Sequence, residues 1–205
     1  MPMHVLTENH PLVLGSGSPR RKEILAAIDV PFVVHKGDAN EDVAPGESAE
    51  HYLERIAVAK LLDVTKTLPE SLRATARAVL VADTSVVIDG EILGKPGLGE
   101  AAEAMFARLS GRSHLVMTRF AIGTVEGKLE HAETVTTQVT FRALTPDQIT
   151  AYAASGEGAD KAGGYAVQGL GAAYVSRIEG SYSNVVGLPA CEVAAALEKL
   201  GLRAP

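Results

Sequence analysis

Arg20, Arg21 and Lys22 follow Pro19 in the stretch LGSGSPRRKEIL, which reads as a strand end leading into a helix. Three cations in the first turn of a helix are the wrong charge for that place. A helix start presents unpaired N–H groups and a partial positive charge, so cations there are unfavourable unless an anion joins them. Small hydroxyl residues, a helix N-terminus and two arginines, with no carboxylate before Glu23, form a set of donors able to grip a phosphate chain. A solvated basic helix end is the plainer alternative. The stretch is neither a P-loop, since it lacks a Gly-Lys-Ser/Thr ending, nor a dinucleotide fingerprint, since it lacks the third glycine.

Two further residues stand out by their neighbours. Lys60 lies four residues after Ile56 and seven after Leu53, on the apolar stripe of its own helix. Its ammonium either snorkels to water or meets a ligand. Asp83 interrupts AVLVADTSVVI, where a carboxylate lies at the mouth of a cleft or is badly desolvated, and strand-end acids are frequent catalytic groups. Glu41 in DANEDV, Lys95 before Pro96 and Gln168 in a glycine-rich stretch each read equally well as solvated loop residues.

The elements that must position these residues follow from pattern. HPLVLGS and VPFVVH read as short strands, with Ser18 and Pro19 as the N-cap and first residue of the helix between them. Ser48 caps a long helix whose apolar face is Leu53, Ile56, Ala57, Leu61 and Val64 and which ends near Pro69. AVLVADTSVVIDGEIL is a strand pair turning at Asp89-Gly90, followed by a helix stopped at Gly111 and a long antiparallel pair around Glu126-Gly127. Thr145 caps another helix. Gly156 to Gly171 is either a flexible connection or backbone that approaches a ligand, and a strand, a turn and a final helix close the chain. Alternating strands, hairpins and separate helices predict an α/β fold with a mixed sheet. The residues before Pro11 read as disordered or as a minor cap.

Bulk properties narrow the function classes. A chain of 205 residues suits one domain, 1–205, with a core of its own. A net charge of -6 with no basic block beyond the opening triplet argues against a grip on long nucleic acid. No apolar stretch approaches the ~20 residues of a membrane span, which predicts a soluble, cytoplasmic protein. The single Cys191 sits on an apolar helical pattern and reads as a structural thiol. His4, His10, His35, His51, His114 and His131 show no zinc spacing, so any metal is expected to be a hard ion on carboxylates and phosphates.

Five motifs, SGSPRRKEIL, ADTSVVIDGEILGKP, LSGRSH, DKAGGYAVQG and EGSYSNVVGLP, occur here in the order and spacing of the Maf family of nucleoside-triphosphate pyrophosphatases, and the chain resembles that family from Leu12 to Leu200. The resemblance implies a mixed, elongated sheet with flanking helices and two lobes around a central cleft, similar to the inosine-triphosphate pyrophosphatases. It also implies hydrolysis of a nucleoside triphosphate to its monophosphate and pyrophosphate with a divalent cation, Mg²⁺ or Mn²⁺, in a homodimer. Its catalytic positions fall on Asp83, Lys60, Lys95 and Glu41, its substrate-binding positions on Ser16, Arg20, Arg21, Thr84 and Gln168, and its metal positions on Glu41 and Asp83. In those roles the cations balance the triphosphate and Asp83 is the general base for water attack at the α-phosphorus.

Arg20, Thr84 and Gln168 resemble the family's dTTP/UTP branch rather than the branch acting on 7-methyl-GTP. A glutamine amide both donates and accepts, matching O4 and N3–H of uracil or thymine, whereas an ionised glutamate only accepts. Turnover of 7-methyl-GTP or another modified nucleotide, or a nucleotide-sensing role in restraining cell division, are the alternatives. Gly15 stands where the family pattern has alanine, a change expected only to loosen the strand end.

Overall fold

The computed structural model describes residues 5–204. A seven-stranded mixed sheet runs in the order β2 (Phe32–Val34), β1 (Leu12–Leu14), β3 (Ala78–Ile88), β5 (Ser113–Gly123), β6 (Leu129–Phe141) and β7 (Val175–Glu179), with β4 (Glu91–Leu93) also on β3. β2, β1 and β3 are parallel, and the pairs from β3 to β7 are antiparallel. Helices α1 (Pro19–Ala27), α2 (Ala49–Thr67), α4 (Glu100–Leu109), α5 (Pro146–Ser155) and α7 (Ala190–Lys199) flank it. Two short helices, α3 (Glu70–Thr75) and α6 (Tyr182–Val186), are too brief for a periodic signal and were not expected from the pattern.

β3 organises the molecule. β1 pairs with it only as far as Leu80, and β4 pairs with it only from Val86. Between those points one edge of β3 has no strand beside it among the described residues, while its other edge is laddered continuously to β5. The open edge is where a cleft forms. Asp83 is therefore not at a strand end, as the run suggested, but in mid-strand beside the gap. Two apolar clusters flank this stretch: Leu12, Leu14, Leu80, Phe120 and Leu197 on one side, Val86, Phe106, Phe141, Tyr152 and Tyr165 on the other. Burial of the two sets fixes two lobes with the cleft between them.

α2 forms as its pattern requires. Ser48 Oγ accepts from the His51 N–H at 3.3 Å, and Leu53, Ile56, Ala57, Leu61 and Val64 are all buried. Ser18 occupies the N-cap position of α1 without a side-chain capping bond, its own N–H donating instead to Ser16 Oγ.

Two expectations are corrected. A side chain at Gly15 would lie 2.7 Å from Val81 Cγ1 and 2.9 Å from Val64 Cγ2, so the glycine permits close packing of β1's end on α2 and β3 rather than merely loosening it. Cys191 is exposed, on the outer face of α7, and packs no core. Of the two readings of the residues before Pro11, the minor cap is the one seen: Leu6 is buried and its N–H donates to the Leu202 carbonyl, while Met1–His4, which the same expectation covered, lie outside the described residues.

His114 of β5 is buried in the second lobe, its Nε2 2.8 Å from the Tyr165 hydroxyl and its ring edge-on to Phe141. Burial pushes its imidazole down to about 4. The unfolded imidazole protonates near pH 6.5, so this contribution to stability is whole above that pH and is lost as the pH falls towards 4, about 3 kcal/mol in all. Urea unfolding at pH 7, 5.5 and 4.5 should show a smaller acid loss in His114→Gln than in the wild type; equal losses would count against a buried neutral imidazole.

Candidate active site

The cleft beside the open edge of β3 has a volume of about 410 Å³ and is lined by Arg20, Arg21, Glu41, Lys60, Asp83, Thr84, Lys95 and Gln168 among others. Ser16 lines an adjoining hollow that shares Arg21, Glu41 and Lys60 with it. All nine residues singled out from the sequence thus border one continuous depression. They come from the β1–α1 turn, α1, the β2–α2 loop, α2, β3, the segment after β4 and the glycine-rich loop.

Lys60 is its centre. The apolar stripe of α2 carries the lysine stem over β3, leaving the side chain 12% exposed, and its Nζ meets Asp83 Oδ1 at 2.5 Å and Glu41 Oε1 at 2.7 Å. The ammonium does not snorkel to bulk water; it is paired. The loop carrying Glu41 is held by α2 itself, since the Tyr52 hydroxyl donates to the Glu41 carbonyl and Arg55 Nη2 to the Asp42 carbonyl. Burial pushes the Glu41 carboxyl up, but the hydrogen bond and charge of Lys60, with Lys95 and Arg21 behind them, outweigh it and hold the group below its ordinary value. Lys95 is the looser member, 62% exposed on the rim with Nζ 3.8 Å from Glu41 Oε2.

Arg21 turns away from solvent and is fixed on three sides. Nε donates to the Gly187 carbonyl at 2.9 Å, Nη1 to Ser16 Oγ at 3.0 Å and Nη2 to Thr84 Oγ1 at 3.3 Å. Burial lowers its guanidinium pKa, against the attraction of Asp83 and Glu41. Thr84 is in turn 2.9 Å from Thr118 Oγ1, which donates to the Asn184 carbonyl, and Asn184 is fully buried with Nδ2 donating to the Val116 carbonyl and Thr137 Oγ1. A guanidinium has five N–H donors, and three are used here, which leaves two for a ligand.

The glycine-rich segment forms the opposite wall and brings Gln168, which is exposed, to the cleft. The segment folds tightly upon itself through two 3₁₀ turns, and a side chain at Gly158 would overlap the Gly164 carbonyl. It docks beside Lys95, with the Gly163 N–H donating to the Gly94 carbonyl and the Gly97 N–H to the Ala159 carbonyl.

Glu41 and Asp83 also bear on the metal. Among the described residues no group of three or more His, Cys, Asp or Glu is arranged to hold an ion. Two hard carboxylates meeting at one Nζ nonetheless fit Mg²⁺ or Mn²⁺, which commonly take one or two carboxylates and complete their shell with phosphate oxygens and water. Sequence reasoning missed Tyr52, Lys161 and Gly187 as cleft residues. Tyr52 gave a signal, a hydroxyl on the stripe that carries Lys60, and Lys161 is a cation inside a motif; the Gly187 carbonyl gave none.

The family profile described as Maf-like protein matches residues 11–200. The chain is 47% identical over 194 residues to a dTTP/UTP pyrophosphatase of Myxococcus xanthus, covering 95% of this chain and 94% of that one. It is 44% identical over 192 residues to a dTTP/UTP pyrophosphatase of Hahella chejuensis, covering 94% and 93%. A crystal structure of a nucleoside-triphosphatase / dITP/XTP pyrophosphatase from Mycobacterium abscessus superposes with a TM-score of 0.40 at 15% identity over 71% of this chain and 95% of the other, too distant to carry anything across.

Removing the central ammonium should release Glu41. In Lys60→Met the hydrogen bond and nearest charge are gone while the burial penalty stays, so the Glu41 carboxyl should titrate higher than in the wild type. Carbon-13 NMR titration of the side-chain carboxyls reads this, and an unmoved Glu41 would show that Lys60 is not its controlling partner.

Proposed function

The chain belongs to the Maf family, and from that premise we propose that it is a cytoplasmic, single-domain nucleoside-triphosphate pyrophosphatase that hydrolyses dTTP and UTP to the monophosphate and pyrophosphate. The observation that carries this reading is the meeting of three cations, Arg21, Lys60 and Lys95, with two carboxylates, Asp83 and Glu41, in one cleft large enough for a nucleotide. A triphosphate supplies the anion that the basic first turn of α1 lacks.

The remaining donors of Arg21 would hold a phosphate oxygen, pre-aimed by Ser16, Thr84 and Gly187. A phosphate oxygen arriving at Lys60 would draw the ammonium from Asp83 Oδ1 and leave that oxygen free to accept from water. Water oxygen then bonds to the α-phosphorus, its proton passes to Asp83, and the bond to the oxygen bridging α and β phosphorus breaks, so that pyrophosphate leaves. Lys60, Lys95 and Arg21 stabilise the charge gathered on the equatorial and leaving oxygens. A divalent cation held by Glu41 and Asp83 would add charge neutralisation there. Gln168, on the wall opposite α1, reads the pyrimidine edge through its amide, and Arg20 borders the same space.

Pyrophosphate release should be fast from dTTP and UTP, stop in EDTA, and fall by about 10²- to 10⁴-fold in Asp83→Asn. Full turnover by that variant would remove Asp83 from the role of base. Gln168→Glu should shift preference away from UTP towards 7-methyl-GTP in kcat/KM; an unchanged ratio would take base reading away from this residue.

A further inference from the structure

Gln168 sits on a loop, and a base reader on a loop is only as selective as the loop is fixed. The backbone on both sides of it is held by two side chains from outside the cleft. Glu157 turns its carboxylate inward: Oε1 accepts from the Leu170 N–H at 2.7 Å, and Oε2 accepts from the Gly171 N–H at 3.0 Å. Tyr152 of α5 donates its hydroxyl to Glu157 Oε2 at 2.9 Å and accepts from the Ala166 N–H at 3.2 Å. The three amides held are two residues before Gln168 and two and three residues after it. Gly169 leaves room for this, because a side chain there would overlap Glu157 Oε1.

The clasp is itself anchored. The Tyr152 ring is buried and stacked on Phe106 with centroids 4.2 Å apart, so α5 and α4 fix the hydroxyl's position from the core of the second lobe. Burial raises the Glu157 carboxyl, but the Gly171 and Leu170 amides, the Tyr152 hydroxyl and the charge of Lys161 outweigh it and hold the group below its ordinary value. A glutamine in its place could offer one oxygen and would turn an NH₂ towards an N–H.

We propose that Glu157, with Tyr152, is a positioning residue for base recognition: its carboxylate ties Leu170 and Gly171 back across the loop and thereby fixes the backbone that presents Gln168 to the nucleotide. The inference rests on the reading of Gln168 as the residue that meets the base. It accounts for a partly buried charge that the hydrolytic steps do not use.

The test compares kcat and KM for UTP and for its N3-methyl analogue, which lacks the N3–H donor, in wild type, Gln168→Ala, Glu157→Gln, Tyr152→Phe and the double variant Glu157→Gln/Gln168→Ala. Gln168→Ala should lower the preference for UTP by about tenfold. Glu157→Gln should lower it by about fivefold, through KM more than kcat, and Glu157→Asp, which keeps the charge, should regain part of it. The double variant should discriminate no less than Gln168→Ala alone, because the clasp acts through Gln168. Preference retained in Glu157→Gln and Tyr152→Phe but lost in Gln168→Ala overturns the clasp and leaves the base reading standing. Additive losses in the double variant overturn it as well, since they describe general loosening. An unchanged preference in Gln168→Ala overturns the base reading and the inference with it. Should Glu157→Gln fail to fold, Tyr152→Phe keeps the stack on Phe106 and carries the same comparison.

Discussion

A lysine ammonium placed on the buried face of a helix is the constraint around which this molecule is arranged. Desolvating a charge costs several kcal/mol unless opposite charge and hydrogen bonds replace the lost water. Lys60 meets that requirement with Asp83 from the sheet and Glu41 from the β2–α2 loop, so three separate elements are bound at one atom. Each carboxylate needs the same ammonium in return. The same triad is the set of charges that a phosphate chain and a hard cation would reorganise.

The sheet makes room for the triad by what it omits. β1 stops pairing at Leu80 and β4 starts at Val86, so among the described residues the edge of β3 beside Asp83 is free of a neighbouring strand, although the same residues are fully laddered to β5 on the other side. The carboxylate is thus carried on rigid backbone and still faces open space. Arg21 is given comparable rigidity by contacts remote in sequence. Its hydrogen bond to Gly187 spans 166 positions, and the Thr84, Thr118 and Asn184 chain beneath it ties α6 to β3 and β5. A guanidinium whose direction is set in advance loses less freedom when it meets its ligand.

The two walls of the cleft are built differently. On the α1 side, side chains from regular elements do the positioning. On the opposite side a loop folds on itself through its glycines and the Glu157 clasp, and it is held to the rest of the protein by Tyr165 in the second lobe's core, by the Tyr152 hydroxyl and by the bonds beside Lys95. Rigidity there depends on a few hydrogen bonds, those to the Glu157 carboxylate charge-assisted, and on one buried ring rather than on a ladder.

Much of this was legible in the sequence. The periodicity of α2, its Ser48 cap, the Asp89-Gly90 turn and the long β5–β6 pair follow from local rules, because burial of one face and the demands of a turn act over a few residues. The anomalies at Arg20–Lys22, Lys60 and Asp83 were visible for the same reason: each is a charge that its own neighbours do not explain. What local pattern could not show was the partner. That Lys60 is paired rather than snorkelled, that Asp83 lies in mid-strand beside a gap, that Cys191 is exposed and that the loop glycines admit other backbone all depend on atoms brought from distant positions. The sequence by itself determined which elements form and which residues are out of place in them. Tertiary structure alone decided what each misplaced charge meets, because the cost of an unpaired buried charge is settled by whatever lies within a few ångströms in space, not along the chain.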